Sequence, residues 1–183
     1  GIYISQLNAQ SNILFNSIKV ISSGRTNTAA LYSAQTFAKV KNNILINKTI
    51  GSSNLVSHHC FKIGSGGGIN SLNFNCYNYD PSGQNTFLIG NSINYSNLAA
   101  WKNATGFDLN SVDLLPDFIS SVDLHIQGNS FKVDKKGSHI AGILIDIDGS
   151  GRDTIMPDIG ADDHTPISNG LDMGIYGVSR VNN

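Results

Sequence analysis

The 183-residue chain contains no glutamate: all 13 acidic residues are aspartate, and the first of them is Asp80. Seventy-nine residues without a carboxylate side chain cannot supply the paired acids of a glycoside hydrolase, nor the oxygen cage that holds calcium in a typical polysaccharide lyase. Charged residues make up only 14% of the chain, and no basic cluster marks a nucleic-acid partner. No apolar run approaches the roughly 18 residues of a membrane span, so no membrane insertion is expected. Two cysteines and a net charge of −1 say little about redox compartment or partner.

What is present is apolar residues at 40% of the chain, with Asn, Ser and 19 Gly, the residues of turns and of stacked amide ladders. The charge is divided unevenly. Residues 1–79 carry six basic side chains and no acidic one, or +6, while residues 80–183 carry six basic and 13 acidic, or −7.

Three short segments repeat one pattern: Asn12-Ile-Leu-Phe-Asn16, Asn43-Ile-Leu-Ile-Asn47 and Ser71-Leu-Asn-Phe-Asn75. Their closing asparagines lie 31 residues apart (16 to 47) and then 28 apart (47 to 75). A repeat of that length is too short to bury its own apolar face and needs a like neighbour above and below. The expected fold is all-β, a solenoid of parallel strands at 2–5, 12–21, 28–33, 39–47, 57–63 and 69–79, with two to three strands per coil. Asn16, Asn47 and Asn75 are expected to stack at one corner, each amide donating to and accepting from the next rung. Gly1 stands where a primary product would carry Met, and Ile2-Tyr-Ile reads as a strand in mid-stack, so further coils are expected upstream. The expected organisation is parallel coils with an Asn ladder over 1–97, a terminal coil and cap over 98–164, a linker at 165–170, and the start of a following module at 171–183.

From Leu98 onward the quoted residues carry a resemblance. Leu98-Ala-Ala-Trp-Lys-Asn-Ala-Thr-Gly-Phe-Asp108, Leu115-Pro-Asp-Phe118, Ile145-Asp-Ile-Asp-Gly-Ser-Gly-Arg152 and Pro157-Asp-Ile-Gly-Ala-Asp-Asp163 resemble the closing part of secreted right-handed parallel β-helix proteins of the pectate-lyase-like superfamily. The resemblance implies the C-terminal portion of such a helix with its cap: Trp101 and Phe118 over the apolar floor of the last coil, and Arg152 paired with Asp146, Asp148 or Asp158 to fix a turn. Enzymes of that family carry catalytic groups on coils nearer the N-terminus, so the match transfers no catalytic residue, and fold by itself does not carry function.

Other candidate sites read plainly. Counted as a calcium loop from Asp146, Ser150 and Gly151 fit but Pro157 falls where the twelfth-position acid belongs, so this stretch reads as a turn; no metal and no other cofactor is expected, calcium being the one ion considered. In His58-His59-Cys60 at most two side chains share a strand face, which suits one core and one solvent-facing residue better than a metal site. Cys60 and Cys76 read as small buried thiols, or as a bridge if their Cα atoms approach within about 7 Å. The glycine run at 64–68 lacks the Lys-Ser/Thr ending of a phosphate loop and reads as a sharp turn. Tyr77 and Tyr79 are the candidates for stacking on sugar rings, against the alternative that they fill a covered cleft. Lys62 with His58 is the one pair that could serve a calcium-independent lyase.

The functional expectation is a non-catalytic segment of a large secreted or cell-surface bacterial protein, structural or adhesin-like, with polysaccharide as the binding partner. Two alternatives are the tail of a polysaccharide lyase or glycoside hydrolase whose active site lies upstream, and a client of a secretion machine such as the type IX system.

Overall fold

The computed structural model describes residues 1–5, 10–23, 26–34, 37–51, 55–65 and 68–167. The expected module at 171–183, the end of the linker and part of the glycine run lie outside the described residues.

The chain is all-β with parallel sheets, as the alternating Ile, Leu and Val segments require. Its first circuit is β1 (Ile2–Ile4), β2 (Gln10–Leu14) and β3 (Ser17–Val20); its second is β4 (Thr28–Ser33), β5 (Phe37–Lys41) and β6 (Ile44–Asn47). The third is β7 (His58–Ile63), β8 (Ile69–Asn73) and β9 (Cys76–Tyr79), followed by β10 (Thr86–Gly90), β11 (Asn94–Tyr95), helix α1 (Leu98–Thr105) and β12 (Val112–Asp113). Strands of successive circuits pair into three sheets, in the orders β1-β4-β7-β10-β11, β2-β5-β8 and β3-β6-β9-β12. Every pair is parallel except β10 with β11. The chain therefore visits the three sheets in fixed order and returns to pair with itself one circuit on.

The segments expected at 12–21, 39–47 and 69–79 are each two strands broken by a corner. The residue at each corner, Phe15, Asn42 or Phe74, has φ between 55° and 57°. That left-handed conformation costs a residue with a Cβ roughly 1–2 kcal/mol. No glycine announces it in the sequence, which is why these corners read as uninterrupted strands.

Two apolar clusters follow from the period-2 alternation of β6. Leu45 joins Leu31, Val40, Phe61, Leu72, Tyr77 and Trp101 in the interior cluster. Its neighbours Ile44 and Ile46 join Cys76, Phe118, Ile126, Val133 and Ile159 in a second. All four residues of β6 are buried because the segment after β12 packs over the other face of that sheet. Phe118 thus lies on the flank of the sheet rather than over the floor of the last circuit, a correction to the expected cap, while Trp101 does join the interior cluster.

This flanking segment reaches back to the earliest circuits. The Ser138 amide donates to Asn42 Oδ1 at 2.9 Å and Asn42 Nδ2 returns a bond to the Ser138 carbonyl at 2.7 Å; the Ala161 amide donates to Ser17 Oγ at 3.0 Å. Gly160 sits at φ 115°, where an added Cβ would come within 2.6 Å of Ile44 Cδ1, so both conformation and space call for glycine there. Helix α1 is capped by the Asn97 side chain, which accepts from the Ala100 amide, and ends on left-handed Gly106, as helix termini demand. Among the described residues no helix is long and apolar enough to cross a membrane.

Candidate functional site

The corner after each left-handed residue carries the amide ladder. Asn16 donates from its backbone N at 3.0 Å and from Nδ2 at 2.8 Å to Asn43 Oδ1. Asn43 donates in the same two ways to Asn75 Oδ1, at 3.0 and 3.1 Å. The rungs are therefore Asn16, Asn43 and Asn75. Asn47, expected in this stack, stands at the far end of β6, opposite Val20 and Tyr79. There its Nδ2 donates to Thr28 Oγ1 and the His59 carbonyl, and its Oδ1 accepts the Thr49 amide. The misreading came from aligning closing asparagines, whereas the shared unit is a left-handed residue, then Asn, then a strand.

The ladder ends on a carboxylate that sequence reasoning missed. The Asn75 amide donates to Ser111 Oγ at 2.8 Å, and Asn75 Nδ2 to Asp108 Oδ1 at 3.3 Å. Asp108 is fully buried and also accepts from Ser111 Oγ, Trp101 Nε1 at 2.9 Å and the Tyr77 hydroxyl. Burial raises the Asp108 pKa against the lowering effect of these donors. The signal available in the sequence was an aspartate shortly after the only Trp, in apolar surroundings, where a solvated acid is out of place.

Tyr77 cannot stack on a sugar. It has no exposed surface, its hydroxyl is spent on Asp108, and burial followed by the Asp108 charge raises its pKa well above the ordinary value. Tyr79 is half-buried and donates its hydroxyl to the Ser96 carbonyl at 2.9 Å. These two are a core residue and a loop tie.

His58 and His59 are both buried, at 1% and 2% exposure, so neither is the solvent-facing member of the pair. His58 Nδ1 meets Thr28 Oγ1 at 2.9 Å. His59 Nε2 meets Asn94 Oδ1 at 2.9 Å, and its ring stacks on Phe87. Burial, with smaller contributions from Lys62 and His58, lowers the His59 pKa to about 4. Cys60 and Cys76 are free and buried; burial pushes the Cys60 thiol up to about 12 and raises Cys76 as well, which leaves both poor nucleophiles.

In the flanking segment Arg152 is buried with its guanidinium 4.2 Å over the Phe15 ring. It donates to the carbonyls of Ile145 and Ala161 and pairs with Asp163 at 3.8 Å, not with Asp146, Asp148 or Asp158. Asp146 Oδ1 accepts the amides of Asp148 and Ser150, at 2.9 and 2.8 Å, the turn expected of this stretch. Asp158 accepts the Lys135 amide and His164 Nδ1, the latter at 2.7 Å. Asp146, Asp148 and Asp162 bring carboxylate oxygens within 4.8 Å of one another, with Asp162 also holding the Ile126 amide.

One cleft, of about 430 Å³, lies in the flanking segment and is lined by Asp134, Arg152, Asp153, Asp158, Asp163 and His164 among others. A second cleft, of about 490 Å³, runs along β1, β4 and β7 and is lined by Ile2, Tyr3, Thr28, Tyr32, His59 and Lys62 among others. Tyr3 and Tyr32 are in register, their rings stacked 4.6 Å apart at 9°, and Tyr3 is 71% exposed. Lys62 continues the row beside Tyr32 and donates to the Asn91 carbonyl at 3.2 Å. No carboxylate lines this cleft among the described residues. What the arrangement offers is a flat aromatic face, one cation and neutral donors, which suits holding a ring and its hydroxyls more than cleaving a bond. Compared with family models, curated proteins and solved structures, the chain finds no match in any of the three.

Proposed function

We propose that the chain is the C-terminal portion of a right-handed parallel β-helix from a secreted or cell-surface bacterial protein, and that it binds polysaccharide without cleaving it. The observation that carries this reading is the cleft over β1, β4 and β7. It pairs stacked Tyr3 and Tyr32 with Lys62 and has no acid among its described lining residues to act as general acid, nucleophile or calcium ligand. The circuits supply a rigid support, because each rung is tied to the next by strand pairing and by the Asn ladder. The polymer class that fits is one whose rings stack on tyrosine and whose hydroxyl or carboxylate groups meet Lys62.

The test is affinity electrophoresis and calorimetry with uronate and neutral glycans. Binding that Tyr3→Ala weakens about fivefold, as loss of an aromatic contact of about 1 kcal/mol requires, supports the reading. Binding unaltered by Tyr3→Ala and Lys62→Ala, or no binding to any glycan, overturns it. The alternative, that the segment closes a lyase or hydrolase whose active site lies on other coils, rests on the motif resemblance after Leu98. Delivery by a type IX secretion route belongs with the surface location and is a proposal of the same standing.

A further inference from the structure

His59, Lys62 and Asn94 meet over Gly90. This glycine pairs with Lys62 on one side and with Asn94 on the other, and a Cβ on it would collide with His59 Nε2 and stand 2.8 Å from Asn94 Oδ1. In the space left open, Asn94 Oδ1 lies 2.9 Å from His59 Nε2 and 3.5 Å from Lys62 Nζ. An ammonium has only protons to offer, so the Asn94 atom that faces Lys62 is the amide oxygen, and that oxygen takes only a donor from the imidazole. His59 therefore carries its proton on Nε2, and Nδ1 keeps a lone pair. Burial holds the ring uncharged, with a pKa of about 4, so Nδ1 is an acceptor at neutral pH. The Nε2–Cδ2 edge lies against Gly90 of β10, which turns the Nδ1 edge toward β4, on the other side of β7. The residue in register there is Ala29, whose side chain has nothing to donate, and Ala29 and His59 both line the cleft. His59 is only 2% exposed, yet no described residue gives Nδ1 a hydrogen bond. A buried acceptor without a donor keeps its desolvation cost until a ligand supplies one.

We propose that His59 Nδ1 is a hydroxyl acceptor of the cleft, positioned by Asn94, so that the site takes a sugar ring with a free hydroxyl at that point and rejects one whose hydroxyls are O-methylated. The inference rests on the polysaccharide reading above and deepens it from an aromatic platform to a site that selects a substituent. Tyr3 and Tyr32 offer their faces to any sugar ring, and Lys62 donates to a hydroxyl, ether or carboxylate oxygen alike. An ether oxygen has no proton for Nδ1, so this contact separates the free hydroxyl from its ether.

The experiment is calorimetry with oligosaccharides of glucose and of galacturonate, each unmodified and O-methylated on its ring hydroxyls, together with nitrogen NMR of the imidazoles. The unmodified sugar is expected to bind roughly tenfold more tightly than its ether. His59→Phe and Asn94→Leu should abolish most of that preference, whereas Tyr3→Ala should weaken both forms and keep their ratio. The NMR measurement uses the wild-type chain and depends on no variant folding: it should show His59 protonated at Nε2 and bare at Nδ1, with the Nδ1 resonance shifted by the unmodified sugar and not by the ether. A proton on Nδ1, or binding that is blind to O-methylation, overturns this inference and leaves the polysaccharide reading standing. No binding of any of these sugars, unmodified or methylated, overturns both.

Discussion

Asn43 Nδ2 lies 3.1 Å from Asn75 Oδ1, joining side chains 32 residues apart in sequence. Asn43 also satisfies the carbonyls of Ile13 and Lys41, at 2.8 and 2.9 Å, and accepts from Asn16. All of this occurs at a residue with no exposed surface, where an orphaned polar group keeps its full desolvation cost.

Asn43→Leu is therefore expected to cost about 2–4 kcal/mol, since it strands several buried backbone groups at once. Chemical denaturation measures this, and a double-mutant cycle sharpens it. Asn43 and Asn75 should couple by about 1 kcal/mol or more, whereas Asn47 and Asn75, which share no partner, should add within about 0.5 kcal/mol. Coupling of Asn47 to Asn75 in place of Asn43 would restore the register read from the sequence.

Asp108→Asn puts an amide NH₂ among four donors, those of Asn75, Tyr77, Trp101 and Ser111. A loss of about 2–3 kcal/mol is expected, together with faster exchange of the Trp101 indole proton. An Asp108→Asn protein as stable as wild type would show that the ladder does not depend on ending at an anion.

The two halves respond to pH with opposite sign. His59 has its folded pKa lowered from 6.5 to about 4, so its neutral form is the folded one. Its contribution is fully present above pH 6.5 and is lost as pH falls toward 4, amounting to about 2 kcal/mol between pH 7.5 and pH 5. His125, between Asp123 at 2.5 Å and Asp148 at 3.3 Å, has its pKa raised, first by the hydrogen bond to Asp123. Its contribution is full below 6.5 and lost as pH rises through the raised value. Denaturation of His59→Phe should show a flatter fall from pH 7.5 to pH 5 than wild type, and His125→Gln should cost more at pH 6 than at pH 8. Parallel curves for wild type and both variants would refute the assignment.

Parallel pairing and a polar ladder were legible because Asn recurs beside alternating Ile, Leu and Phe at circuit-length spacing. The register was not, because the conformational cue is a positive φ carried by Phe15, Asn42 and Phe74, residue types that give no such signal. Asn47 looks like a rung in sequence and is as buried as one; only pairing distinguishes them. Phe118 was misplaced for a related reason, whereas Tyr77 belongs to the interior column with Leu45 and Trp101. Alternation tells which residues share a face but not that both faces of β6 and β9 are covered, since the second cover comes from a segment some 40 residues further on, around Phe118 and Val133. Tyr3 and Tyr32 become a surface only when 29 residues of chain, from position 3 to position 32, return to bring them into register.

Turnover is the most direct test of the central claim that this chain holds a polysaccharide and does not cut it. The protein is incubated with uronate and neutral glycans, with and without calcium, while the absorbance of unsaturated chain ends and the release of reducing sugar are followed. The account predicts binding that depends on Tyr3 and Lys62 with neither signal rising above the blank. Turnover that disappears in Lys62→Ala would contradict it, and would make Lys62, whose pKa burial lowers, the base of a calcium-independent lyase.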